Sequence, residues 1–185
     1  DMLSNVIGVG AFVVQQKHWG EQRIRFKMSS WPKSYSTDVF SSETGLFETS
    51  VQARSETLFG QTTVERFLKD YNAQTIWLSI NPSSFMRSDG FPKWLAFSIG
   101  YSGENMFGGY SNSWEINDEN TIVDPVLYPR YGQFILALDY DLSKIKTKSP
   151  FSKTVLGALN GIKWPAPAIE INTRKEVSFH LLFRN

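Results

Sequence analysis

With 185 residues, a formal net charge of +1 and no cysteine, the chain has room for one domain with a real core, or for one small barrel with helical attachments. Near-neutral charge gives no global field to draw nucleic acid or an acidic partner, and the missing thiols exclude disulfides, thiolate metal sites and Cys nucleophiles. An aromatic content of 15% suits an interfacial girdle or a β-rich soluble core, and no run of about 18 apolar residues supplies an ordinary spanning helix. The start at Asp1, without Met or a signal sequence, reads as processing or as a missing N-terminal part.

Residues 1–20 predict an apolar helix, capped by Asp1, with Asp1, Asn5, Gly8 and Phe12 on one stripe. Ser4, Gly8 and Ala11 form a face that lets a neighbouring helix approach closely, which suits either an ordinary core helix or a membrane-embedded one. The remainder, 21–185, predicts a β-rich domain. In the first strand Ile24, Phe26 and Met28 alternate with Arg23, Arg25 and Lys27, whose cations fit a solvated face or a polar lumen paired with carboxylates. A long polar loop follows at about 29–60, with an irregular hairpin near Leu46–Gln52 and Thr57–Phe59. Thr62 and Glu65 make a capping box for a short helix to about Tyr71.

The stretch from Phe67 to Gly109 carries the clearest signal. Ile76, Leu78 and Ile80 share one face of a strand, opposite Thr75, Trp77, Ser79 and Asn81. After turn signals at Asn81-Pro82 and Asp89-Gly90, Leu95, Phe97, Ile99 and Tyr101 alternate with Ala96, Ser98, Gly100 and Ser102. Small neutral residues opposite a bulky apolar row suit a narrow barrel whose outside touches lipid. A second long loop at about 103–130 leads to a strand with Phe134, Leu136, Leu138, Tyr140 and Leu142 on one face. Ser149 and Pro150 start another short helix, which Gly161 stops. A final pair, Ala168–Thr173 and Glu176–Arg184, turns tightly at Arg174-Lys175 and sets Val177, Phe179, Leu181 and Phe183 on one face. Six strands result, in a small antiparallel, outer-membrane-like β-barrel or partial barrel with an N-terminal helix and two short helices.

Candidate chemistry is sparse. His18 and His180 provide no converging metal set, and no G-x-S-x-G marks a nucleophile for a Ser–His–Asp site. Asp139 and Asp141 lie on one strand face and are better explained as partners of Arg23, Arg25 and Lys27 than as a catalytic acid–base pair. Together with Glu170 and His180, with Glu104 as a further acid, they predict a lumen ion network. Lys144, Lys146, Lys148, Lys153 and Lys163, with Trp164, describe a membrane-interface patch around the late helix, or equally a solvated helix face. The expectation is therefore no enzyme, no metal and no cofactor.

The runs Trp19-Gly20-Glu21-Gln22-Arg23-Ile24-Arg25, Leu68-Lys69-Asp70-Tyr71-Asn72-Ala73-Gln74-Thr75 and Phe91-Pro92-Lys93-Trp94-Leu95 resemble uncharacterised envelope proteins of Bacteroidota-type bacteria. Gly100-Tyr101 with Glu104-Asn105-Met106, and Pro165-Ala166-Pro167-Ala168-Ile169-Glu170, carry the same likeness. These proteins are grouped with the YfiM-like putative periplasmic lipoproteins, a domain of unknown function. Asp1, Asn5 and Gly8 are similar to a helix shared with VanZ-like membrane proteins, which implies an upstream helical part. The resemblance implies a place in the outer membrane or periplasm-facing envelope and supplies no catalytic residue. The expected function is a non-enzymatic, outer-membrane-associated structural or accessory component of a secretion or nutrient-uptake assembly. Its expected partners are membrane lipid and one or more envelope proteins, with no nucleic acid. The alternative is a soluble periplasmic β-barrel that holds a lipid or other apolar ligand.

Overall fold

Period-2 alternation commits a strand to two faces in different surroundings, and six such strands pair here into one antiparallel sheet. The computed structural model describes residues 2–86 and 90–184, without the side chain of Ser4. The cap expected from Asp1, the turn at Asp89 and the packing of the Ser4 side chain lie outside the described residues.

In chain order the elements are α1 (Met2–Trp19), β1 (Ile24–Ser30), β2 (Val39–Ser41), β3 (Glu48–Ser50), α2 (Val51–Phe59), α3 (Thr63–Lys69) and β4 (Gln74–Ile80). They continue with β5 (Leu95–Glu104), β6 (Ser113–Ile116), β7 (Glu119–Ile122), β8 (Tyr131–Tyr140), α4 (Pro150–Leu159), β9 (Ala168–Asn172) and β10 (Val177–His180). The main sheet runs β1-β4-β5-β8-β9-β10. Among the described residues the protein is thus mainly β, with four α-helices, and no closed barrel is found.

The sheet is nonetheless strongly curled. Lys27 lies in register with Trp77, Gly100 and Ile135, so Asp139 sits three strands over and four residues along. On a flat sheet their Cα atoms would be roughly 19 Å apart, whereas the two side chains and one contact span roughly 13 Å. Yet Lys27 Nζ is 3.0 Å from Asp139 Oδ2. Arg25 reaches Asp141 across the same offset, Nη1 to Oδ1 at 2.8 Å. Only a sheet wrapped around its polar face closes both gaps.

The two expected loops are folded. Residues 31–73 contain the β2–β3 hairpin, α2 and α3, and residues 105–130 contain the β6–β7 hairpin. They pack at one end of the sheet on a second core of Val51, Phe107, Trp114 and Val123, flanked by Tyr35, Phe40, Ile116 and Tyr128. Thr57–Phe59, read as part of a hairpin, is the last turn of α2, because Ser50 caps a helix there through Ala53 N. The capping box of Thr62 and Glu65 forms on α3 as read.

The last strand is shorter than its pattern. Pairing stops at His180, and Phe183 turns inward, its N–H donating to Ala166 O at 3.0 Å. Phe183 therefore leaves the face of Val177 and Phe179 and is buried edge-on against Trp77. With Ile135, Ala137 and Ala168 they form the apolar part of the enclosed side. Gly100 is needed beneath Trp77, since a Cβ there would stand 2.6 Å from the indole.

Candidate functional site

The sheet is inverted relative to a soluble one. The face of Lys27, Ser29, Thr75, Trp77, Ser79, Ser98, Ser102, Gln133, Asp139, Glu170 and Asn172 is buried. The apolar face is exposed. One row, Phe26–Leu78–Ile99–Leu136–Ile169–Phe179, crosses all six strands in register. A parallel row, Met28–Ile76–Tyr101–Phe134–Ile171–Val177, does the same. Phe26 is 61% exposed, Ile76 63%, Leu136 55% and Phe179 68%. Summed over the face this is on the order of 1,000 Å² of apolar surface, against about 300–600 Å² for the largest patch on an ordinary monomer.

The enclosed face holds two polar networks. In the first, Lys27 Nζ donates to Tyr140 O at 2.8 Å and to Asn160 Oδ1 at 3.3 Å beside its contact with Asp139. Asp141 Oδ1 accepts from Arg25, from Asn160 Nδ2 and from Ser143 Oγ, and its Oδ2 accepts from Asn81 Nδ2 at 3.0 Å. In the second, Ser102 donates to Gln133, Gln133 donates to Glu170, and Glu170 Oε2 lies 2.8 Å from His180 Nε2, a chain across β5, β8, β9 and β10. Ser98 Oγ, Thr75 Oγ1 and Asp139 Oδ2 are buried without a well-aligned hydrogen bond among the described residues; the Lys27 approach to Oδ2 is close but poorly angled.

Several expected positions differ. Arg23 does not enter the enclosed side: it pairs with Glu21 at 3.4 Å and stacks on Trp19 and Phe85 at 5.1 and 5.3 Å. Its peptide faces β4, Arg23 O accepting from Asn81 N, while its side chain is held by Glu21 and the two rings beyond the first residue of β1. Glu104 pairs with Lys33 at the opposite end. Lys163, expected at a membrane surface, is buried at 3% exposure, because its N–H bonds Met28 O and draws the segment against β1. Its ammonium lies 4.9 Å from the Trp77 ring and donates to Trp164 O. Burial pushes its pKa down to about 8, with Asp139 raising it and Lys27 lowering it further. Lys144 bridges to Glu21, while Lys146, Lys148, Lys153 and Trp164 remain exposed.

α1 is apolar around its circumference and almost wholly exposed, from Met2 at 82% to Val14 at 56%. Gln15 ties it to β1, accepting from Arg23 N and Ile24 N and donating to Ile24 O. A Cβ at Gly8 would meet nothing within 4 Å, so no helix approaches closely at Gly8 among the described residues. No helix among the described residues is long and apolar enough to cross a membrane.

Sequence reasoning missed Asn160, Asn81 and Ser143 around Asp141, and the cluster at the capped end. There Tyr35 donates to both oxygens of Asp70, at 2.6 and 2.7 Å, and Asn72 brackets Met106 through its N–H and C=O. Burial raises the Asp70 carboxyl above its ordinary range, with the Tyr35 bond pulling it back. Beside it lies an apolar hollow of about 220 Å³ lined by Trp31, Pro32, Phe67 and Arg66. Among the described residues no group of three or more His, Asp or Glu could hold a metal. Comparison with protein-family models, with curated proteins and with solved structures finds no match to this chain.

Proposed function

We propose that this chain is a non-enzymatic, outer-membrane-associated structural or accessory component of a bacterial envelope assembly, with the apolar face of its sheet turned toward lipid. The observation that carries this reading is the inversion itself: two unbroken apolar rows outside, ion pairs and hydrogen-bonded amides inside. Membrane barrels share that arrangement, and soluble sheets bury the apolar side. β5 and β8, at ten residues each, have the length that a tilted strand needs to cross a bilayer, about 9–11 residues. The shorter outer strands favour a barrel wall completed by other material. Trp19 meets Phe85 edge to face at 5.6 Å at the α1 end of the sheet, in keeping with an interfacial belt. The likeness to YfiM-like envelope proteins is of the same kind.

The ligand-binding alternative fares worse. An apolar ligand needs an apolar chamber, whereas the enclosed face is polar and occupied by Trp77 and Phe183. Fractionation tests the proposal: the protein is expected in membranes, released only by detergent. Ile99→Lys, at the centre of the exposed face, is expected to destabilise the bilayer-bound protein by about 2–4 kcal/mol. Recovery as a detergent-free soluble monomer, with Ile99→Lys neutral to within about 0.5 kcal/mol as on a water-washed surface, would refute it.

A further inference from the structure

The two edges of the sheet are treated differently. On β1, Arg23 O accepts from Asn81 N, so the odd residues bond β4 and the even ones point their peptides outward. That outer edge is sealed at two places. The Gln15 amide satisfies the N–H and C=O of Ile24, and Gly161 O and Lys163 N satisfy those of Met28 at 3.1 and 2.9 Å. On β10 the parity is also readable. Asn172 N donates to Glu176 O, which puts Glu176, Ser178 and His180 in bonding register with β9 and turns the peptides of Val177 and Phe179 to the open side. Among the described residues no element of the main sheet lies beyond β10, and Val177 and Phe179 are each 68% exposed. An open edge with apolar side chains is a template for another strand.

The sequence of that edge is chemically palindromic. Glu176-Val177-Ser178-Phe179-His180 reads acid, apolar, Ser, apolar, His. We propose that β10 pairs with β10 of a second copy of this chain, antiparallel about a two-fold axis at Ser178. In that register Val177 faces Phe179 of the other copy, and both have outward peptides, so the two such pairs exchange four backbone hydrogen bonds. Glu176 comes opposite the other copy's His180 on the polar face, twice, adding to the contacts each already makes with Asn172 and Glu170. A two-fold centred on Phe179 or Val177 loses this acid–His match. The apolar rows become continuous across twelve strands, and the sealed β1 edges stop further addition, so the assembly ends at two copies rather than a fibril. The pairing needs only the edge and does not depend on what covers the apolar face.

Two variants test it on the 185-residue chain in detergent micelles. Phe179→Pro removes an N–H that points away from β9, so it is expected to spare the β9–β10 ladder and abolish pairing between copies. The wild type is expected to show the protein mass of two 21.1 kDa chains, and Phe179→Pro the mass of one. Ser178→Cys introduces the sole thiol, facing its own counterpart at a non-hydrogen-bonded pair, with Cα atoms about 4.5 Å apart, inside the disulfide range. Mild oxidation is expected to cross-link most of it, at least tenfold more than Ser111→Cys in an exposed loop. A single-chain mass for the wild type overturns the proposal, as does a dimer unchanged by Phe179→Pro. Should Phe179→Pro not fold, Ser178→Cys decides alone: cross-linking no greater than Ser111→Cys overturns the pairing. Membrane fractionation reports separately on the lipid-facing reading, so the two can fail independently.

Discussion

Breaking the Lys27–Asp139 pair from its two ends should have unequal consequences. Both side chains are enclosed, at 1% and 0% exposure. Asp139→Asn leaves the Lys27 ammonium with two neutral acceptors, Tyr140 O and Asn160 Oδ1, and no counter-charge, while Lys163 adds a second buried cation nearby. That is the unfavourable case of a buried charge stripped of its partner, worth about 3–5 kcal/mol. Lys27→Met leaves the Asp139 carboxylate, but the Lys163 ammonium already feels its charge and can serve as counter-ion. The remaining loss is that of hydrogen bonds and packing, about 1–3 kcal/mol. Combining Lys27→Met with Asp139→Leu removes both charges, and the double variant should be more stable than Asp139→Asn alone. Urea unfolding from detergent micelles, followed by the summed tryptophan fluorescence, measures all three. If Lys27→Met costs as much as Asp139→Asn, or if either costs less than about 1 kcal/mol, the enclosed face is wetter than argued and the asymmetry is refuted.

Two further outcomes follow from the same accounting of buried groups. Tyr35→Phe removes the one hydrogen bond that the Tyr35 hydroxyl shares between the two Asp70 oxygens and should destabilise the capped end by about 1–3 kcal/mol. Because Asp70 is raised in the fold, its burial penalty applies above its folded pKa and fades below it, so the deficit should shrink in acid; a deficit independent of pH would contradict this. For Lys163, with a pKa of about 8 in the fold against 10.5 unfolded, the unfolded state holds more protons between those values. Stability should therefore rise by roughly 3 kcal/mol as pH climbs through that window, and Lys163→Met should flatten the slope; equal slopes in both proteins would contradict the burial.

What was legible in the sequence was the strand set and its two faces. Alternation in Ile76–Ile80, Leu95–Tyr101 and Phe134–Tyr140 reports local geometry, and the sheet keeps it. Arg25 and Lys27 meet Asp141 and Asp139, though nothing in either segment encodes the offset of four residues, which comes from the curl of the sheet. The capped end was illegible because β2, β3, β6 and β7 are three or four residues long, too short for a period to register. Their stability comes from the packing of Val51 with Phe107, Trp114 and Val123, more than fifty residues further along the chain. Lys163 misled because a Lys beside Trp164 looks interfacial, and only the backbone bond to Met28 turns it inward. Phe183 kept the alternating pattern after the strand itself had ended.

Energy decides which reading of the inversion is coherent. At about 25 cal/mol per Å², an apolar face on the order of 1,000 Å² represents about 25 kcal/mol of unrealised burial. That exceeds the 5–15 kcal/mol by which a domain of this size is ordinarily stable. A chain in water would gain by refolding around those residues, unless something holds them out. Eleven exposed side chains, from Phe26 to Phe179, alternate without error with a face on which every charge has a partner or a ring beside it. Turning the sheet inside out would bury the rows and return Lys27, Asp139 and Asp141 to water, which solvates them without loss, but the short side chains of Ser98, Gly100 and Ser102 fit only the crowded side, where a Cβ on Gly100 would stand 2.6 Å from Trp77. The pattern on both faces therefore favours the same orientation, and the environment it favours outside is apolar. In the proposed arrangement lipid would supply that along the middle of the sheet, and a second copy would extend it past β10.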